Sequence, residues 1–85
     1  MEVPSAPSQS DPVERRTVLL LKAERERQQV SAAQLAEKIG ISRAAITHIE
    51  ADRSRPTLWI MLKIAGGLDL NLETIIAEAR KMKKL

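Results

Sequence analysis

The 85-residue chain contains no cysteine, no phenylalanine and no tyrosine, and Trp59 is its one aromatic residue. The lack of cysteine rules out a disulfide framework and thiolate metal sites, so the reducing cytoplasm is the expected location. With a single aromatic side chain, any core has to be built from Leu, Ile, Ala, Val and Met, which favours packed helices over a sandwich rich in aromatic and β-branched residues. An all-α fold is therefore expected. Long apolar runs are also missing, and no membrane-spanning or secretory segment is expected. Nor is there a Gly-rich phosphate loop, a paired-carboxylate arrangement or a Ser/His/Asp pattern, and His48 has no acid or second histidine at metal-ligand spacing. No enzyme activity, cofactor or metal is expected.

Hydrophobic residues make up 44% of the chain and charged residues 29%, an ordinary balance for a soluble domain. The length suits one small domain. Fourteen basic against eleven acidic residues leave a net charge of +3. Four of the basic residues, Arg80, Lys81, Lys83 and Lys84, crowd the C-terminal end, where cations also suit the end of a helix. Net charge thus hints at an acidic partner without identifying one, and the placement of individual bases has to carry that argument.

Residues 1–10 hold two prolines, three serines and little to bury, so they are expected to be a disordered tail. They carry no Lys or Arg that could wrap a phosphate backbone. Asp11, Pro12 and Glu14 spell a helix start, with an N-cap acceptor, a proline at the first helical position and an acid three residues on. This first helix should run to about Gln28. Ser31 and Gln34 form a capping box, and Val30 with Leu35 forms a hydrophobic staple around it. Gly40 sits where a left-handed helix-ending residue is expected, and only Ile41 separates it from Ser42, the next cap. Two helices joined by a tight turn follow from this spacing. Ile41 with Ile46, and Leu70 with Ile75, repeat the staple at two later helix starts. Pro56 and Thr57 open a fourth helix, Gly66 and Gly67 are expected to fray its end, and a fifth runs from about Leu72 into the basic end.

On a helical wheel at roughly 100° per residue, Ile46, Ile49 and Glu50 of the third helix face inward, while Ala44, Thr47, His48 and Ala51 face outward with Arg43 at the edge. That outer face is small and polar. Two readings fit it: an ordinary exposed helix surface, or a helix lying in a DNA major groove, where alanines allow close approach and Arg43, Thr47 and His48 supply polar contacts to base edges. Glu50 pointing inward needs a partner, because an unpaired buried charge is costly. In the fourth helix, Leu58, Met61, Leu62 and Ala65 follow core spacing, which leaves Trp59 and Ile60 over.

The run SAAQLAEKIGISRAAITHIEADRSRPTLWIMLKIA resembles the helix-turn-helix core of the Cro and lambda-repressor-like (XRE) family. The landmarks are Leu35, Ala36, Gly40, Ile41, Ser42, Ile46, Ile49, Glu50 and Pro56, and the resemblance covers roughly residues 17–76. It implies a five-helix DNA-binding domain over residues 11–85 that regulates transcription, with the helix opening at Ser42 as its recognition helix. By position in the family, Arg43, Ala44, Thr47 and His48 would read bases. Ser31, Ser42, Arg53 and Arg55 would lie at phosphates, and Arg25 would pair with Glu50. Two departures stand out: Ala32 occupies the place of a DNA-contacting glutamine, and Asp52 that of a glycine in the loop. Such domains read near-palindromic double-stranded sites as homodimers. Trp59, Ile60, Ile76, Ala79 and Met82 are the expected dimer interface. The competing expectation is a protein-interaction module, of antitoxin or coactivator type, whose fourth and fifth helices bind a second protein.

Overall fold

A computed structural model of the protein describes residues 11–82. The expected tail at residues 1–10, together with Lys83 and Lys84, lies outside the described residues. Five helices follow one another: α1 (Pro12–Arg27), α2 (Ala32–Ile39), α3 (Arg43–Glu50), α4 (Leu58–Gly67) and α5 (Leu72–Lys81). No strand occurs among the described residues. None of these helices is long and apolar enough to cross a membrane.

The helix starts are those read from the sequence. The Asp11 carboxylate accepts from the Val13 and Glu14 amides at 2.8 and 3.2 Å. At α2 the capping box is complete: the Ser31 hydroxyl accepts from the Gln34 amide at 3.0 Å, and the Gln34 side chain accepts from the Ser31 amide at 2.8 Å. Ser42 and Thr57 accept from the Ala45 and Ile60 amides at 3.0 and 3.1 Å. Each bond satisfies one of the backbone donors that a helix N-terminus leaves open. Asn71 opens α5 without a side-chain cap bond.

The helix ends share a second device. Each of the first four helices leaves through one left-handed residue: Gln29 (φ 60°), Gly40 (φ 78°), Asp52 (φ 62°) and Asp69 (φ 58°). In each case the next residue donates its amide to the carbonyl five positions back. These bonds are Val30 to Arg25 at 3.0 Å, Ile41 to Ala36 at 3.0 Å, Arg53 to His48 at 2.8 Å and Leu70 to Ala65 at 2.8 Å. This is the Schellman closure, which normally carries an apolar residue at the donor position. Val30, Ile41 and Leu70 meet that expectation and pack against the core. They are also the staple residues of α2, α3 and α5, so one side chain closes one helix and opens the next. Arg53, at the fourth such corner, is exposed.

The core joins Leu21 of α1, Leu35 and Ala36 of α2, Ile46 of α3, Ile64, Ala65 and Leu68 around α4, and Leu72 and Ile75 of α5. α1 packs alongside α5, and α2 packs on both α3 and α4. Two expectations about α4 need correction. Leu58 and Leu62, expected in the core, are 62% and 52% exposed, and the buried face is made by Ile64 and Ala65 with Met61 beside them. Gly66 and Gly67 do not fray the helix but belong to it. A Cβ on Gly67 would lie 2.6 Å from Ile39 Cγ2 and 2.9 Å from Leu35 Cδ1, so the missing side chain is what lets α4 sit directly on α2.

Candidate nucleic-acid interface

The turn between α2 and α3 consists of Gly40 in the left-handed region, Ile41 tucked against the core and Ser42 as cap. This fixes the direction of α3. Its inner face is anchored by Ile46 and Ile49, which are 0% and 5% exposed. Its outer face, Arg43, Ala44, Thr47, His48 and Ala51, is exposed along the whole helix. The Thr47 hydroxyl donates to the Ala44 carbonyl at 3.1 Å, which leaves the side chain a lone-pair acceptor and a methyl group to present outward. Ser31 and Ser42 are both exposed and both engaged as caps. Each hydroxyl accepts in its cap bond and keeps its own O–H as a donor.

The C-terminal end of α3 is held from α1 at two points. Arg25 meets Glu50 side-on, Nε to Oε2 and Nη2 to Oε1, both at 2.8 Å, and its Nη1 donates to the Val30 carbonyl at 2.7 Å. The two side chains are 11% and 13% exposed. Hydrogen bonding to Glu50 raises the Arg25 pKa above its ordinary value, outweighing the opposite pull of burial, so the guanidinium stays charged. One turn from the start of α1, Arg15 Nη1 donates to the Glu50 carbonyl at 3.0 Å and to the Ile49 carbonyl at 3.4 Å. It supplies a positive charge at the C-terminal end of α3, where the helix dipole is negative. Sequence reasoning missed Arg15; nothing in its spacing separates it from Arg16 beside it.

In the loop after α3, Asp52 adopts the left-handed conformation that a glycine would supply, so the departure at this position leaves the turn in place. Arg53 and Arg55 are both exposed. Arg55 donates from Nε and Nη2 to the Glu14 carboxylate in the first turn of α1, at 3.3 and 3.4 Å. The expected base-reading and phosphate residues thus lie on one short helix, its cap, the preceding cap and the following loop. Ala32 is half-buried and packs on the core.

The expected dimer residues are less uniform. Trp59 is 58% exposed, flanked by Leu58 and Leu62, and Lys63 Nζ lies 5.5 Å from the indole centroid. Ile60, Ile76 and Met82 are half-buried. Ala79, expected at the interface, is instead fully buried in α5, where no surface is left for a second chain to touch. Among the described residues no group of His, Asp and Glu could hold a metal ion.

The helix-turn-helix family model matches residues 21–75, from the middle of α1 into α5. The chain belongs to the helix-turn-helix family. Within it, the chain is similar to the immunity repressor protein of Bacillus phage phi105, with 34% identity over 64 residues, which cover 75% of this chain and 44% of that protein. It is also similar to the HTH-type transcriptional regulator SutR of Escherichia coli (strain K12), with 39% identity over 57 residues, covering 67% of this chain and 32% of that protein. The chain spans less than half the length of either relative. Glu14 and Arg15 lie ahead of the helix-turn-helix match, so the hold that the start of α1 exerts on the end of α3 and the next loop is contributed by residues outside it.

Proposed function

We propose that this helix-turn-helix chain binds double-stranded DNA sequence-specifically as a homodimer and regulates transcription, acting as a repressor that occludes a promoter. One observation carries the reading: the outer face of α3 is exposed and unencumbered while its inner face and its C-terminal end are fixed by Ile46, Ile49, Arg25 and Arg15. A short, rigidly mounted helix with small and polar outer residues is what major-groove readout requires. Arg43 addresses guanine O6 and N7, the Ala44 methyl meets a thymine methyl, and Thr47 and His48 take neighbouring base edges. Ser31, Ser42, Arg53 and Arg55 hold phosphates and set the register. The two relatives, an immunity repressor and a transcriptional regulator, agree with this assignment.

One helix of this length reads only a few base pairs, and pairing two copies doubles the site. The surface offered for pairing is the exposed apolar face of Leu58, Trp59 and Leu62, with the half-buried Ile60, Ile76 and Met82 as the further residues expected to take part. The same face favours a second reading, a module that binds a different protein. Selection of bound duplexes from a random pool, with sedimentation of the free chain at high micromolar concentration, tests both. A near-palindromic consensus with half-sites about 34 Å apart and a dimeric profile are expected. A pool that converges on no sequence would reject the DNA reading, and a strictly monomeric profile would reject the pairing.

A further inference from the structure

The first turn of α1 contains a carboxylate where the proposed DNA-binding surface wants none. Glu14 occupies the third position of α1, the place from which an acid commonly reaches back to the cap, as Gln34 does at Ser31. Glu14 instead reaches forward to Arg55, 41 residues on. Its side chain is 16% exposed and that of Arg55 is 63% exposed, so a largely covered acid holds a largely open base. The edge of the guanidinium that is engaged, Nε with Nη2, is the edge that pairs side-on with a carboxylate or a phosphate. The bonds at 3.3 and 3.4 Å are longer than the 2.8 Å of the Arg25–Glu50 pair. Compared with that pair, this one is loose and open to displacement.

We propose that Glu14 is a resident competitor for the phosphate backbone: it occupies the Arg55 guanidinium in the free chain and so lowers the sequence-independent part of DNA affinity. This rests on the duplex-binding reading above and adds a residue that the helix-turn-helix match does not cover. A phosphate arriving at Arg55 either displaces the carboxylate or shares the guanidinium with it. In the first case the ion pair has to be broken, and in the second a second anion stands nearby. Both oppose binding, and both act on every DNA sequence alike, because no base is involved.

The test is a salt titration of random-sequence duplex binding by fluorescence anisotropy, on the full chain and on Glu14→Gln, Arg55→Ala and the double variant. An exposed ion pair of this kind corresponds to about a two- to fivefold change in an equilibrium constant, so Glu14→Gln is expected to bind random duplex more tightly by about that factor at low salt. Its plot of log affinity against log salt should steepen by up to about 0.9, the increment of one phosphate contact. In the Arg55→Ala background the same substitution should have little effect. Unchanged or weaker binding by Glu14→Gln would overturn the proposal. So would an equal gain in the Arg55→Ala background, which would reduce the effect to net charge. Either result leaves the duplex-binding reading standing, whereas a starting chain with no salt-dependent duplex binding removes that reading itself and this proposal with it. Thermal melts of all four chains establish that folded protein is being compared.

Discussion

Adjacent glycines in α4 should respond with opposite signs to the same substitution. A Cβ on Gly66 would have no heavy atom within 4 Å, so Gly66→Ala changes only the backbone preference of an exposed helical position. That substitution should stabilise the chain by about 0.5–1 kcal/mol. At Gly67 the same gain is opposed by overlap: contacts of 2.6 Å to Ile39 Cγ2 and 2.9 Å to Leu35 Cδ1 are well inside the roughly 3.5–4.0 Å at which carbon atoms rest. Neither neighbour moves freely. Ile39 is β-branched and helical, which restricts its χ1, and Leu35 is fully buried. Overpacking of this kind costs about 1–3 kcal/mol, so Gly67→Ala should be destabilising by about 1 kcal/mol net. At roughly 4–8 °C per kcal/mol for a domain of this size, thermal melts followed by circular dichroism should show one variant several degrees above the parent and the other several degrees below. Urea titrations should shift their midpoints in the same directions with unchanged slopes. If both variants rose together, α4 would not rest on α2 at Gly67, and the packing that sets the angle of the helix-turn-helix would have to be redrawn.

Three further outcomes are expected. Glu50→Gln leaves the Arg25 charge nearly buried without its counterpart and should cost on the order of 2–3 kcal/mol in a urea melt; in a double-mutant cycle with Arg25→Met, most of that loss should appear as coupling, and simple additivity would mean the pair is not formed. Gly40→Ala meets no steric obstacle but forces a side chain into φ +78°, so a loss of about 1–2 kcal/mol is expected, and a neutral melt would show that the turn does not use the left-handed region. Arg43→Ala should cost about 1–3 kcal/mol on a selected site while relaxing one base position, whereas Arg53→Ala should weaken all duplexes alike and lower the salt slope by about one; equal losses on selected and random DNA for both variants would refute the division of labour.

Much of the helix-turn-helix was legible in the sequence because its signals are local. Asp11, Ser31, Ser42 and Thr57 each announce a helix through a side-chain acceptor placed next to the amides it satisfies, and Gly40 marks the one turn where a glycine holds the left-handed position. The Arg25–Glu50 pair could be anticipated from an inward-facing acid that needed a partner, although family resemblance rather than spacing chose Arg25. Other features depend on information that a single chain does not display. The α4 segment from Leu58 to Ala65 is apolar all round except for Lys63, so periodicity says that a helix is there without saying which side is inside. Core spacing therefore points to Leu58 and Leu62, which lie outside, and Gly67 reads as a helix breaker although it is a contact point. Gln29, Asp52 and Asp69 end helices without the glycine that would have flagged them. Arg15 and Glu14 act across 34 to 41 residues, and no local pattern encodes that reach.

The corners at Val30, Ile41 and Leu70 restrict where the chain length can change. An extra residue in any of them would pull apart two jobs now done by a single side chain, leaving one helix without its closing contact or the next without its opening one. The crossing from α3 to α4 is under no such rule, since a solvent-facing arginine stands where the other corners use an apolar plug. Insertions that keep Arg55 should therefore be tolerated between Ser54 and Pro56 and rejected at the other three corners. Among these four corners, the one free to vary in length borders the surface proposed for DNA, so new target preferences could arise there without rebuilding the scaffold.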